Sequence, residues 1–178
     1  MKPTQTALIV PIPEAEEAVG PFRATLDVSA GWGVPAHVTV LYPFLPPERI
    51  DSRVLAALTG TIAAVPRFDV SFTHVAWFGE SVVWLAPRPD HPFRDLTAAV
   101  WRRFPEAPPY EGAHTDTVPH LTVGHDAPGH VLDRAARTVS AHLPIPAAVE
   151  NVLLISGSQE PGSWRTVATF PLGPRPTG

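Results

Sequence analysis

Two stretches of the chain repeat one pattern, His37-Val38-Thr39-Val40 and His120-Leu121-Thr122-Val123. One falls in each half of the 178 residues, and a proline stands just ahead of each, Pro35 and Pro119. Imidazole has its ordinary pKa close to neutrality, so of two histidines one can be neutral while the other is protonated. Such a pair suits general acid–base work, one ring taking a proton as the other gives one. A threonine two residues along adds a hydroxyl that can donate to developing negative charge. A single His-x-Thr would mean little. Two, each with an aliphatic in the middle and valine at the end, point to one site with two contributors.

The elements around the motifs explain how they would be displayed. Ala36–Phe44 is β-branched and aromatic and is closed by Pro46-Pro47, and Pro119–Gly124 reads the same way, so each motif is expected on a strand. Side chains alternate along a strand. His37 and Thr39 therefore share one face while Val38 and Val40 share the other, and the same holds for His120 and Thr122 against Leu121 and Val123. Further strands are expected at Thr6–Ile12, Phe68–Phe78, Ser81–Ala86, Val149–Ser156 and Trp164–Leu172, with Gly79-Glu80 as a hairpin turn. Helical spacing of apolar residues marks Pro47 to about Ile62, Pro92–Phe104 and Val131–Leu143. Glu14 to about Leu26 is a weaker helical stretch broken at Gly20-Pro21. Pro105–Val118 reads as a loop. Mixed strands, helices and hairpins indicate an α+β fold.

Composition limits the function classes. The chain carries 17 acidic and 13 basic side chains, a net charge of −4, and 44% apolar residues. That balance offers no basic stripe for long duplex nucleic acid, although a few arginines would serve one phosphate. The 23 prolines are dispersed, as befits the ends of elements in one folded domain spanning 1–178. There is no cysteine, which removes thiol nucleophiles and cysteine zinc sites. No apolar run is long enough to cross a membrane, and Pro11, Pro13 and the acidic residues Glu14, Glu16 and Glu17 make the start a poor signal peptide. A cytoplasmic monomer without membrane attachment is the expectation.

With its two His-x-Thr motifs, the sequence resembles the 2H phosphoesterase superfamily, in particular the 2′-5′ RNA ligase-like branch. The resemblance implies a bilobal α+β fold in which two antiparallel-rich sheets with flanking helices surround a central cleft, each lobe supplying one motif. It implies His37 and His120 as the catalytic pair, with Thr39 and Thr122 beside them at a phosphate. The implied reaction is hydrolysis of a 2′,3′-cyclic phosphate, on an RNA terminus or a small nucleotide, to a 2′-phosphomonoester. A 2′-5′ ligase activity, the reverse of 2′-5′ cleavage, is implied as well. One histidine would take the proton of the attacking oxygen and the other would protonate the leaving oxygen, with no metal or other cofactor. Two rivals remain: a non-catalytic nucleotide- or RNA-end-binding module using the same cleft, and a metal-dependent hydrolase built on some of the eight histidines.

Other residues are candidates for the same cleft. Tyr42, Phe44 and Tyr110 have faces on which a base could stack. Arg165, after a Gly-rich turn, could hold a phosphate through its guanidinium, and Arg23 and Arg88 are lesser candidates. The spacing of His114, Asp116 and His120 raises a metal site, although no third ligand of defined geometry accompanies it. His125 and Asp126 end the motif strand and are placed to cap the next helix.

Overall fold

The computed structural model describes residues 2–114 and 116–177. Its strands are β1 (Gln5–Pro11), β2 (His37–Leu41), β3 (Phe68–Phe78), β4 (Val82–Arg88), β5 (Leu121–His125), β6 (Ile145–Val149), β7 (Asn151–Gly157) and β8 (Arg165–Pro171). Five helices accompany them: α1 (Glu16–Leu26), α2 (Val28–Gly31), α3 (Ser52–Ala63), α4 (His91–Arg103) and α5 (Gly129–Ser140). The strands form two four-stranded antiparallel sheets, ordered β2-β1-β7-β8 and β5-β4-β3-β6. This is the expected bilobal α+β fold. Each motif strand lies at one edge of its sheet, and the two edges approach each other.

The core follows from the alternation of the strands. Val38 and Val40 of the first motif, and Leu121 and Val123 of the second, are buried in one apolar cluster shared by both sheets and the helices. The helices cross over between the sheets. α1 precedes β2 yet packs against β5, whereas α4 precedes β5 yet packs against β2. Each motif strand is thus backed by the helix that leads into the other, which couples the positions of the two histidines.

Several local expectations change. α1 runs through Pro21 without a break, because a proline within a helix removes one hydrogen bond and the packed face of Ala18 and Val19 holds the rest. The helix expected from Pro47 starts only at Ser52, where the Asp51 side chain accepts from the Val54 N–H at 2.9 Å, after a separate turn at Pro47–Arg49. The strand expected to reach Phe44 ends at Leu41, and Phe44 instead packs edge-on against Phe104 in the core. Pro144 and Pro146 mask β6 in the sequence. It lies at a sheet edge, where a proline's missing donor is tolerated.

Candidate active site

Both motif strands carry an irregularity at their last motif residue. Thr39 pairs with Ile9 and Leu41 with Leu8, so Val40 is one residue too many for the partner strand. Likewise Thr122 pairs with Trp84 and Gly124 with Val83, leaving Val123 extra. A bulge of this kind resets the alternation. Val40 and Leu41 consequently both face the core, as do Val123 and Gly124. The next side chains, Tyr42 and His125, turn to the cleft with the histidines and threonines. Gly124 is required here, since a Cβ at this place would lie 2.7 Å from the Leu26 Cβ of α1. At the other bulge the Thr97 hydroxyl of α4 donates to the Val40 carbonyl at 2.7 Å.

The two catalytic candidates are held alike. His37 Nδ1 lies 2.7 Å from the Pro35 carbonyl, and His120 Nδ1 lies 2.7 Å from the Val118 carbonyl. A carbonyl only accepts, so Nδ1 carries the proton in both rings and Nε2 is left to act as base, or as acid once protonated. Phe78 and Trp84 brace the His120 ring edge-on, with Phe78 at 5.0 Å between centroids. Burial lowers the pKa of His37 to about 4, against the Pro35 carbonyl, which raises it; the Arg23 charge and His120 add to the lowering. Burial also lowers the pKa of His120, with the Val118 carbonyl opposing. The two motif strands, β2 and β5, lie against each other, which places both rings along the seam between the sheets.

A buried pair underlies His37. Arg23, 3% exposed, donates from Nε to Asp27 at 3.0 Å and from a terminal nitrogen to the Val34 carbonyl at 3.1 Å and the Ser29 hydroxyl at 3.2 Å. Asp27 is N-cap of α2, accepting from the Ser29 N–H. Burial alone would raise its pKa, but the Arg23 charge and the Ser29 hydrogen bonds outweigh it and hold the carboxyl below its usual value. The oxygen that accepts from Ser29 is also 3.6 Å from His125 Nε2 of the second sheet, while His125 Nδ1 is 2.9 Å from Asp126. Arg23 is therefore a structural pin and is not within reach of a substrate.

The structure gathers most of the expected residues. His37, Thr39 and Tyr42 line a recess on the first sheet, and Thr122, Tyr110 and His120 line one on the second, with His114 and Asp116. Tyr110 sits on a loop that crosses between the sheets. Its N–H donates to the Tyr42 carbonyl at 2.7 Å, and burial raises the pKa of its hydroxyl, with the Thr39 side chain opposing. It adopts φ 51°, a left-handed conformation uncommon for residues other than glycine. Arg165 does not join the site. Its guanidinium folds back onto the Gly162 and Trp164 carbonyls, and it lines neither recess.

One expectation is revised here. His125 does not cap α5, whose N-cap is Pro128 with no side-chain bond; the bulge takes His125 into the second recess instead. Asp116 is held by Arg94 at 2.8 Å. Among the described residues, no three histidine or acidic side chains come together in a metal-binding group. Trp32 and Trp164, on the first recess, escape a reading of the sequence because nothing around them separates a recess wall from a core position.

The fold has clear relatives. Apo LigT of E. coli superposes with a TM-score of 0.61 at 21% identity, over 97% of this chain and 99% of that one. TT0787 of Thermus thermophilus gives 0.67 at 19% identity, over 96% and 98%. A structure described only as a phosphoesterase gives 0.61 at 18% identity, over 97% and 99%. No curated protein matches the chain in sequence. The family model of the 2′-5′ RNA ligase superfamily matches residues 11–160. Two motif strands meeting edge to edge, each presenting a histidine and a threonine, agree with that match: the chain belongs to the 2′-5′ RNA ligase superfamily of 2H phosphoesterases.

Proposed function

We propose that the chain is a metal-independent cyclic phosphodiesterase that hydrolyses a nucleoside or RNA-terminal 2′,3′-cyclic phosphate to the 2′-phosphomonoester. The observation that carries this reading is the matched pair His37 and His120, each with Nδ1 tied to a carbonyl and a threonine beside it. One Nε2 takes the proton of the attacking water as its oxygen bonds to phosphorus. The other gives a proton to the ribose 3′ oxygen as its bond to phosphorus breaks, and the 2′ ester stays intact. The Thr39 and Thr122 hydroxyls donate to the non-bridging oxygens. With a ribose 5′ hydroxyl in place of water as the attacking group, the same steps form a 2′-5′ linkage, and run backwards they cleave it.

Charge supports a small diester. Neither recess has lysine or arginine among its described lining residues, so hydroxyls and imidazoles meet the phosphate. A cyclic phosphodiester carries one negative charge and needs no more than that. E. coli LigT, similar in fold, has been solved with 3′-AMP, NADP+ and ATP, and nucleotide recognition is carried over from it as part of the proposal. The chain is read as a monomer of one domain with two lobes, working in the cytoplasm on a nucleotide or RNA end, without long duplex nucleic acid or a membrane. No helix among the described residues is long and apolar enough to cross one.

The test is product formation from nucleoside 2′,3′-cyclic phosphates in EDTA, with the product isomer identified by phosphorus NMR. The 2′-phosphate is expected. Tight binding of the cyclic nucleotide without product would replace the enzyme with a binding module, and activity only with added metal would replace the mechanism.

A further inference from the structure

The two recesses differ in chemistry. The one beside His120 carries ionisable side chains on its wall, His114, Asp116 and His125. The one beside His37, of about 310 Å³, is walled by Trp32, Tyr42 and Trp164 above a floor of Ile9 and Ile155, and among the described residues no carboxylate, lysine or arginine lines it. Its aromatic residues are fixed by the backbone. The bulge at Val40 turns Tyr42 out of the core and into this recess. A Cβ on Gly157 would lie 2.5 Å from Trp164 Cγ, so only the bare backbone of β7 lets the indole lie against it. Trp32 is anchored beside it, its carbonyl accepting from the Trp164 N–H at 3.0 Å.

We infer that this recess is a nucleobase subsite, where the base of the nucleoside carrying the phosphate stacks against Trp32 and Trp164 while the phosphate reaches His37 and Thr39. The inference rests on the proposed nucleotide substrate. A second phosphate is a poor occupant, since an apolar wall without a cation cannot compensate the loss of its hydration. A flat, neutral, polarizable ring fits, and the remaining polar groups, the Ser29 and Tyr42 hydroxyls and the His37 and Thr39 side chains, leave little to read one base edge against another. Selection should therefore be for a base and only weakly among bases, because stacking on an aromatic face is sequence-tolerant.

The experiment is calorimetric titration of the wild-type protein with 2′-AMP and 3′-AMP, beside 1-O-methylribose 2-phosphate as a baseless probe, repeated with Trp32→Leu. Stacking of this kind corresponds to about 5- to 150-fold tighter binding of the base-bearing compound. In Trp32→Leu, which leaves the more deeply buried Trp164 in place, most of that advantage should vanish while the baseless probe binds as before. Equal affinity for the two kinds of compound, or an advantage untouched by Trp32→Leu in a protein of unchanged melting temperature, overturns the subsite. Hydrolysis separates this from the broader reading. Trp32-dependent binding of AMP without any cyclic-phosphate hydrolysis keeps the subsite and removes the activity, while equal turnover of baseless and base-bearing cyclic phosphates does the reverse.

Discussion

Tyr42 and His125 hold the same place at the ends of the two motif strands, each the first cleft-facing side chain beyond the bulge that follows its threonine. The two recesses thereby acquire different walls on a shared plan. An aromatic ring stands on one side of the histidine pair, and an imidazole between the Asp27 and Asp126 carboxylates stands on the other.

The second bulge leaves no room for a side chain at Gly124. Gly124→Ala should push Leu26 and α1 away from β5, at a cost of about 1–3 kcal/mol. Asp27 follows Leu26 directly, so its approach to His125 should loosen as well. Urea unfolding reads the first effect, and the His125 side-chain resonances in NMR read the second. Unchanged stability would show that α1 is free to yield.

Tyr110 and Thr39 line one small recess between the motif strands. If the Tyr110 hydroxyl orients the threonine toward the phosphate, Tyr110→Phe should lower kcat by about 2- to 12-fold, the value of one neutral hydrogen bond, with KM little changed. Base stacking by Tyr110 predicts the opposite: Tyr110→Phe near wild type and Tyr110→Leu raised in KM. Steady-state kinetics of both variants decide between them.

Acid dependence follows from the two lowered histidine pKa values. The reaction needs one ring protonated and one neutral, and in the free enzyme both rings lose their protons below the ordinary value of 6.5. The kcat/KM profile should therefore peak below pH 6.5. Bound phosphate favours protonated imidazole, so the kcat profile should lie at higher pH. Stability moves the other way on acidification. Between pH 6.5 and about 4 the unfolded chain binds a proton at His37 that the folded protein excludes, so the melting temperature should fall through that window. His37→Gln should flatten the fall.

The sequence is most legible where pattern and chemistry coincide. Alternation in His-x-Thr-x is enough to put Val38, Val40, Leu121 and Val123 in the core and the histidines on the other face. Strict alternation fails just beyond, because nothing in Val40-Leu41-Tyr42 or Val123-Gly124-His125 announces a bulge; it depends on pairing with β1 and β4. That is why His125 lines a recess where its position in the sequence suggests a helix cap. Arg165 illustrates the converse: its place after a turn is readable, but the return of its guanidinium onto the Gly162 and Trp164 carbonyls is not. The exchange of α1 and α4 between the sheets is a matter of long-range packing, invisible to any local window.

The most direct test of the account is turnover of a nucleoside 2′,3′-cyclic phosphate in EDTA by His37→Ala and His120→Ala, with folding verified by circular dichroism. Each variant should lose about 10²–10⁴-fold in kcat, as expected for a general acid or base. A folded variant of either histidine with wild-type turnover would contradict the two-histidine mechanism.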